Sequence, residues 1–169
     1  VAVLGAGGVG AMAARFAAAM GARVAILGRS RDGEATAKAL GAELYVPTGD
    51  TDPAGALRGW DGGADVIVNA APSTAAAAAA YGGLAPDGTL LLLGYGPEPL
   101  SLPTMPMVLG RLHVMANPSG SPHDLRDTLA FAAAHSILPE VTSVSLDQAP
   151  DILAAMAAGT ARGRSVITF

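Results

Sequence analysis

Residues 1–10 read VAVLGAGGVG, and the architecture of the chain follows from them. Val1 to Leu4 is a short apolar run of the kind a buried parallel strand uses. It feeds a glycine cluster in which Gly5, Gly7 and Gly10 keep the GxGxxG spacing, with Gly8 and Val9 inside it. Each glycine has its own physical reason. Gly5 permits a tight turn, Gly7 lets the backbone approach a pyrophosphate, and Gly10 lets the next helix pack against the strand. That helix, Val9 to Met20, is expected to end at Gly21 and to offer unpaired N–H groups and partial positive charge at its start. Glycine-rich turns also arise for purely structural reasons. This one follows a strand and opens a helix, which is the context that points to a dinucleotide.

Beyond this opening, strand-like and helix-like segments alternate, the pattern of βαβ units around a parallel sheet. Strands are expected at Arg23–Leu27, Glu43–Val46, Asp65–Asn69, Thr89–Leu93 and Leu112–Ala116. Helices are expected at Asp32–Leu40, after a cap at Ser73 or Thr74, at Met105–Leu109 and at Leu125–His135. The stretch PTGDTDPAGALRGWDGG is rich in turn formers and leaves room for one short helix at most, and PDG (86–88) reads as a turn. The tail adds a strand near Val141–Leu146, a helix Ile152–Ala158 and a last strand Arg164–Phe169. The expected fold is α/β: a doubly wound parallel sheet of about six strands, with helices on both faces, forming one domain over residues 1–169.

Composition narrows the partner. Ten Lys and Arg face 14 Asp and Glu, a net charge of -4, which argues against nucleic acid and anionic membrane and for a small molecule. Hydrophobic residues are 51% of the chain but aromatics only 4%, so the core is built from small side chains. There is no Cys, hence no disulfide and no thiolate zinc site within this chain. His113, His123 and His135 share no metal-ligand spacing, so neither a metal site nor a catalytic residue is assigned. No apolar run reads as a signal peptide or membrane span, and a cytoplasmic location is the expectation.

The end of the second strand speaks to the kind of dinucleotide. NAD sites usually place an acid about 20 residues after the glycines, where it bonds the ribose hydroxyls and would repel a 2′-phosphate. Here Gly28 stands in that place, followed by Arg29, Ser30 and Arg31. Two guanidinium groups and a hydroxyl suit phosphate, so NADP is the expected coenzyme. The alternative is a solvated helix start in which Asp32 partly pairs with the arginines, leaving NAD or mixed use. Ser73 and Thr74, and Asn117 and Ser119, fall at carboxyl ends of strands, where ligands bind in open α/β sheets. A helix cap explains the first pair as well, and turn chemistry explains NPSGSP.

Taken as a set, GAGGVGAMAARFAAAMGARV, AKALGAE, ADVIVNAA, LAPDGTLLLLG, MVLGRLHV and the closing GRSVITF resemble the coenzyme-binding Rossmann domain of zinc-type medium-chain alcohol dehydrogenases. The order and spacing of the motifs match across essentially the whole chain. Within that superfamily FAAAMGARVAILGRS and PTMPMVLGRLHVMANPSGSPHDL look most like the cinnamyl-alcohol-dehydrogenase branch, whose members typically use NADPH to interconvert aldehydes and primary alcohols. The resemblance implies 2′-phosphate contacts at Arg29 and Ser30. It further implies backbone contacts to the nicotinamide carboxamide near Ala71, Gly94 and Asn117, and an Arg164 that reaches the pyrophosphate. ANPSGS departs from the branch, which more often carries a Gly and a Ser there. The resemblance also implies a catalytic zinc held by a separate barrel-like domain outside this chain, so that residues 1–169 bind cofactor without turnover. It suggests a homodimer through the edge strand 112–116. A zinc-free quinone or enoyl reductase, and a non-catalytic nucleotide-sensing module, are the other readings.

Overall fold

In a computed structural model of the protein, residues 1–161 and 163–169 are described. The chain begins β1 (Ala2–Leu4), α1 (Gly8–Ala19), β2 (Ala25–Gly28), α2 (Glu34–Ala39), β3 (Leu44–Pro47). It continues α3 (Pro53–Asp61), β4 (Ala64–Asn69), α4 (Thr74–Tyr81), β5 (Leu84–Leu92), α5 (Thr104–Gly110), β6 (His113–Ala116). The last part is α6 (Pro122–Ala134), β7 (Val141–Val144), α7 (Ala149–Ala157) and β8 (Arg164–Ile167).

The first six strands form one parallel sheet in the order β3-β2-β1-β4-β5-β6. The α/β fold expected from the alternation is the one observed. Because all six strands are parallel, their carboxyl ends share one edge, and the order reverses between β1 and β4. That reversal opens a crevice for a ligand.

Side-chain alternation along each strand splits the core in two. Val3, Val24, Ile26 and Val68 pack with Ala14 of α1 and Ala37 of α2 on one face. Ala2, Leu4, Leu27 and Ile67 pack with Leu57 of α3 and Ala77, Ala80 and Tyr81 of α4 on the other. Fully burying each of the large aliphatic side chains stabilises the fold by about 1.5–3 kcal/mol. The alanine run of α4 lets that helix lie close against the sheet, with Ala77 and Ala80 wholly buried. Ser73 caps it by accepting from the Ala76 N–H at 3.2 Å. The single short helix expected in the turn-rich stretch is α3, started by Asp52, which accepts from the Ala54 and Gly55 N–H groups at 3.0 Å.

Several elements differ from the sequence reading, among them α7, which starts at Ala149 and not at Ile152. The PDG segment turns inside a strand: β5 runs through it, with Asp87 at φ 62° and a register shift opposite Ala64 and Val66. Arg111 holds this bulge by donating to both Asp87 carboxylate oxygens, from Nε at 2.7 Å and from Nη2. Helix α6 starts three residues earlier than Leu125, at Pro122, because Ser121 and Asp124 close a capping box. Finally, β7 and β8 pair with each other as a separate two-stranded parallel sheet and do not extend the main one.

Burial is lopsided. The sheet from β3 to β5 is enclosed, whereas β6, α6 and β8 are exposed along their length except for partly buried Phe131 and Ala132. What ties α6 to the rest is a stack of Phe131 on Phe16 of α1, ring centroids 5.4 Å apart, continued by His135. Among the described residues no helix is long and apolar enough to cross a membrane.

Candidate cofactor-binding site

At the end of β1 the chain turns sharply. Gly5 takes φ +89°, a conformation L side chains rarely adopt, and donates its N–H to Leu27 O at 2.9 Å. A Cβ on Gly10 would strike the Gly5 carbonyl, so this glycine lets the first turn of α1 fold onto the turn it has just left. Gly7 is the N-cap residue of α1, and open space lies where its side chain would be. The first intrahelical bond closes at Ala11 N–H to Gly7 O, 2.8 Å, which leaves the N–H groups of Gly8, Val9 and Gly10 pointing out of the helix start. No acidic side chain occupies that first turn.

Arg164 arrives here from β8, at the far end of the sequence. Its guanidinium fills the place a Cβ on Gly8 would take. A cation beside the positive end of a helix is electrostatically unfavourable on its own, because the helix dipole prefers an anion there. With an anion between them, the guanidinium and the N–H groups become a single phosphate-binding device. The residues therefore fit a diphosphate.

Beside it, the loop after β2 is held by the end of β3 at three successive carbonyls. Gly28 O accepts from the Thr48 N–H at 2.7 Å and the Thr48 hydroxyl at 3.1 Å, and Arg29 O from the Gly49 N–H at 3.1 Å. Ser30 O accepts from the Tyr45 hydroxyl at 2.5 Å. The two arginines are then different in kind. Arg31 donates to Asp50 at 2.8 and 3.1 Å and holds that carboxyl below the usual carboxylate range. Arg29 forms no ion pair among the described residues. The pairing with Asp32 that belonged to the alternative reading does not form: Arg31 takes Asp50, and Asp32 receives the Ser30 hydroxyl at 3.3 Å. Position explains the exchange, since Asp50 lies on the loop after β3, alongside Arg31.

On the other side of β1, the ends of β4, β5 and β6 surround a cavity of about 370 Å³ lined by Val9, Ala70, Leu93, Gly94, Asn117 and Ser119, among others. Ala71 and Gly94 meet at its rim: a Cβ on Gly94 would strike the Ala71 carbonyl. Asn117 extends the β6 ladder through its N–H to Leu92 O at 3.1 Å, while its side chain accepts from the Ser119 N–H at 3.2 Å. NPSGSP is therefore a turn, and that turn lines the cavity. A second cavity of about 270 Å³, which Thr74, Tyr95 and Leu100 help to line, adjoins the first across Gly94 and Asn117.

Strand order places these parts in line along one edge of the sheet: the Arg29 loop, the glycine turn with Arg164, then the cavity. Residues 8–134 match the family described as zinc-binding dehydrogenases, well over half of the chain. The chain belongs to the zinc-binding dehydrogenase family.

Relatives in this family agree over the whole chain. It is 33% identical over 168 residues to alcohol dehydrogenase 9 of Catharanthus roseus, covering 99% of this chain and 46% of that protein. It is 32% identical over 167 residues to NADP-dependent alcohol dehydrogenase C of Mycobacterium tuberculosis, covering 99% of this chain and 47% of that protein. The alcohol dehydrogenase of Aeropyrum pernix superposes with a TM-score of 0.89 at 26% identity, covering 99% of this chain and 49% of that one. The chain thus spans about half the length of the relatives it matches. Its fold is that of the cofactor-binding domain of zinc-type alcohol dehydrogenases.

In this zinc-binding dehydrogenase chain, sequence reasoning overlooked Asn69. It is the one buried polar residue among those described, 1% exposed at the end of β4. Its side-chain amide donates to Gly94 O at 3.0 Å and its carbonyl oxygen accepts from the Ala71 N–H at 3.2 Å. It therefore fixes two of the three positions expected around the nicotinamide. The only sequence signal was a polar residue closing an apolar strand, VIVN. Among the described residues no group of three or more His, Cys, Asp or Glu is placed to hold a metal ion. His123 pairs with Asp127 at 3.1 Å and His135 stacks on Phe131, which accounts for both structurally.

Proposed function

We propose that residues 1–169 are the NADP-binding half of a zinc-dependent alcohol dehydrogenase or aldehyde reductase. The observation that carries the reading is the convergence of Arg164 and the N-terminus of α1 at Gly8, flanked by Arg29 on one side and the cavity on the other. In this reading the α1 N–H groups and Arg164 hold the diphosphate. Arg29 and Ser30 take the 2′-phosphate, and Arg31 serves them by fixing the loop through Asp50. Ala71, Gly94 and Asn117 would hold the carboxamide at the cavity, which Val9 helps to line. The nicotinamide supplies or accepts a hydride when bound. The work of this chain is to bind it, fix which face is presented and exclude water from one side.

With no Cys in the sequence and no cluster of other ligands among the described residues, the zinc of such an enzyme would be held by residues outside 1–169. Support for NADP comes from Gly28 and Arg29, and from the NADP-dependent relative of Mycobacterium tuberculosis. The reading extends to a homodimer through the edge of β6, where Val114 and Met115 are 40% and 59% exposed.

The test of the shared diphosphate device is Arg164→Ala. Losing a charge-assisted pair of hydrogen bonds is expected to weaken NADPH and NADH alike by about tenfold or more. Unchanged affinity for both coenzymes would contradict it.

A further inference from the structure

The place where an acid would stand in an NAD site is already filled, and by a residue from another strand. Tyr45, on β3, lays its ring across Gly28 and Gly33. A Cβ built on either glycine would run into the phenol oxygen and the carbon that bears it. The same hydroxyl donates to Ser30 O at 2.5 Å, so the ring cannot swing aside without releasing the loop. In the pairing of β2 with β3, Gly28 is opposite Pro47 and Ile26 opposite Tyr45, which sets Tyr45 and Gly28 on one face of the sheet, two residues apart along it.

We infer that Gly28 and Tyr45 form an interlocked pair that sets coenzyme choice: the phenol ring occupies the space of a residue-28 side chain, and its hydroxyl fixes Ser30 beside Arg29. Tyr45 acts as a positioning residue. A carboxylate at position 28 has no room while Tyr45 is in place, so a single change there toward NAD recognition is blocked in this fold. This rests on the NADP reading of Arg29 and Ser30 for its direction. The interlock itself is a statement about two residues and stands or falls by their coupling.

A double-mutant cycle on coenzyme binding to the full chain measures that coupling. The four proteins are the wild type, Gly28→Asp, Tyr45→Ala and the double variant, titrated with NADPH and with NADH by fluorescence and melted in parallel. Gly28→Asp alone is expected to lose NADPH affinity without gaining NADH affinity, because the ring is driven off and Ser30 is released. Adding Tyr45→Ala is expected to raise NADH affinity about tenfold over Gly28→Asp and to recover its melting temperature. If Gly28→Asp folds only together with Tyr45→Ala, that also supports the interlock. Equal NADH affinity and equal melting in Gly28→Asp with and without Tyr45→Ala would overturn it. Tyr45→Phe, which keeps the ring and loses the donor, is expected to lower the NADPH:NADH preference about threefold, and an unchanged ratio would remove the part assigned to the hydroxyl. A wild type that binds both coenzymes equally would sink the NADP reading, while the coupling between positions 28 and 45 would still be read from NADH alone.

Discussion

In the proposed reading coenzyme choice turns on Arg29, because its neighbour Arg31 is committed to Asp50. Arg29→Asp is expected to invert the NADPH:NADH ratio of dissociation constants, whereas Arg31→Ala is expected to lower NADPH affinity only modestly, through a looser loop. Asn69 acts at the opposite end of the site. Asn69→Leu leaves the Ala71 N–H without its acceptor and Gly94 O without its donor in a buried place, a loss of about 1–3 kcal/mol of stability. It is expected to weaken NADPH binding while leaving 2′-phospho-ADP-ribose binding nearly unchanged, and equal losses for both ligands would make Asn69 merely structural. The glycine turn was legible from VAVLGAGGVG because Gly5 and Gly10 each answer a local steric demand, the one by its positive φ and the other by the closeness of the Gly5 carbonyl. Asn69 and Tyr45 were not, since their importance lies in partners distant in the sequence, Gly94 just past β5 for one and Gly28 on β2 for the other.

Among the elements, the strands and helices of the first half followed from hydrophobic runs and glycine stops, but two boundaries needed side-chain chemistry. Helix α6 is extended by its Ser121–Asp124 box, and Ser121→Ala is expected to destabilise that helix by about 1 kcal/mol, seen as faster amide exchange in residues 124–126. Strand β5 passes through PDG because Asp87 accepts both donors of Arg111. That pairing, with a smaller contribution from His113, holds the Asp87 carboxyl below its ordinary value of 3.8. A carboxyl depressed in the folded state lends stability above its unfolded value, and that stability is lost as pH falls through the folded one. Asp87→Asn is therefore expected to flatten the acid side of the melting-temperature profile, below about pH 4, and to leave pH 7 to 9 parallel to wild type.

At the scale of the molecule, the candidate site runs along the carboxyl edge of the sheet, from the enclosed β2 to the exposed β6, and the elements around β6 also offer apolar surface. Val108 and Leu109 of α5, Met115 of β6 and Leu129 of α6 all show more than half of their surface, although all four side chains are apolar. If β6 pairs with its copy, Met115→Lys is expected to shift sedimentation from dimer to monomer without altering NADPH affinity. The separate β7–β8 sheet was not legible in the sequence: two four-residue strands carry no register information, and only the fold shows that they pair with each other. What that sheet does for the site is deliver Arg164 to Gly8. Whether these parts together make an NADP site is decided by titrating the chain with NADPH and with NADH under identical conditions. NADPH is expected to bind tighter by about tenfold or more, an energy difference of about 1.4 kcal/mol; equal affinities, or a preference for NADH, would contradict the NADP assignment.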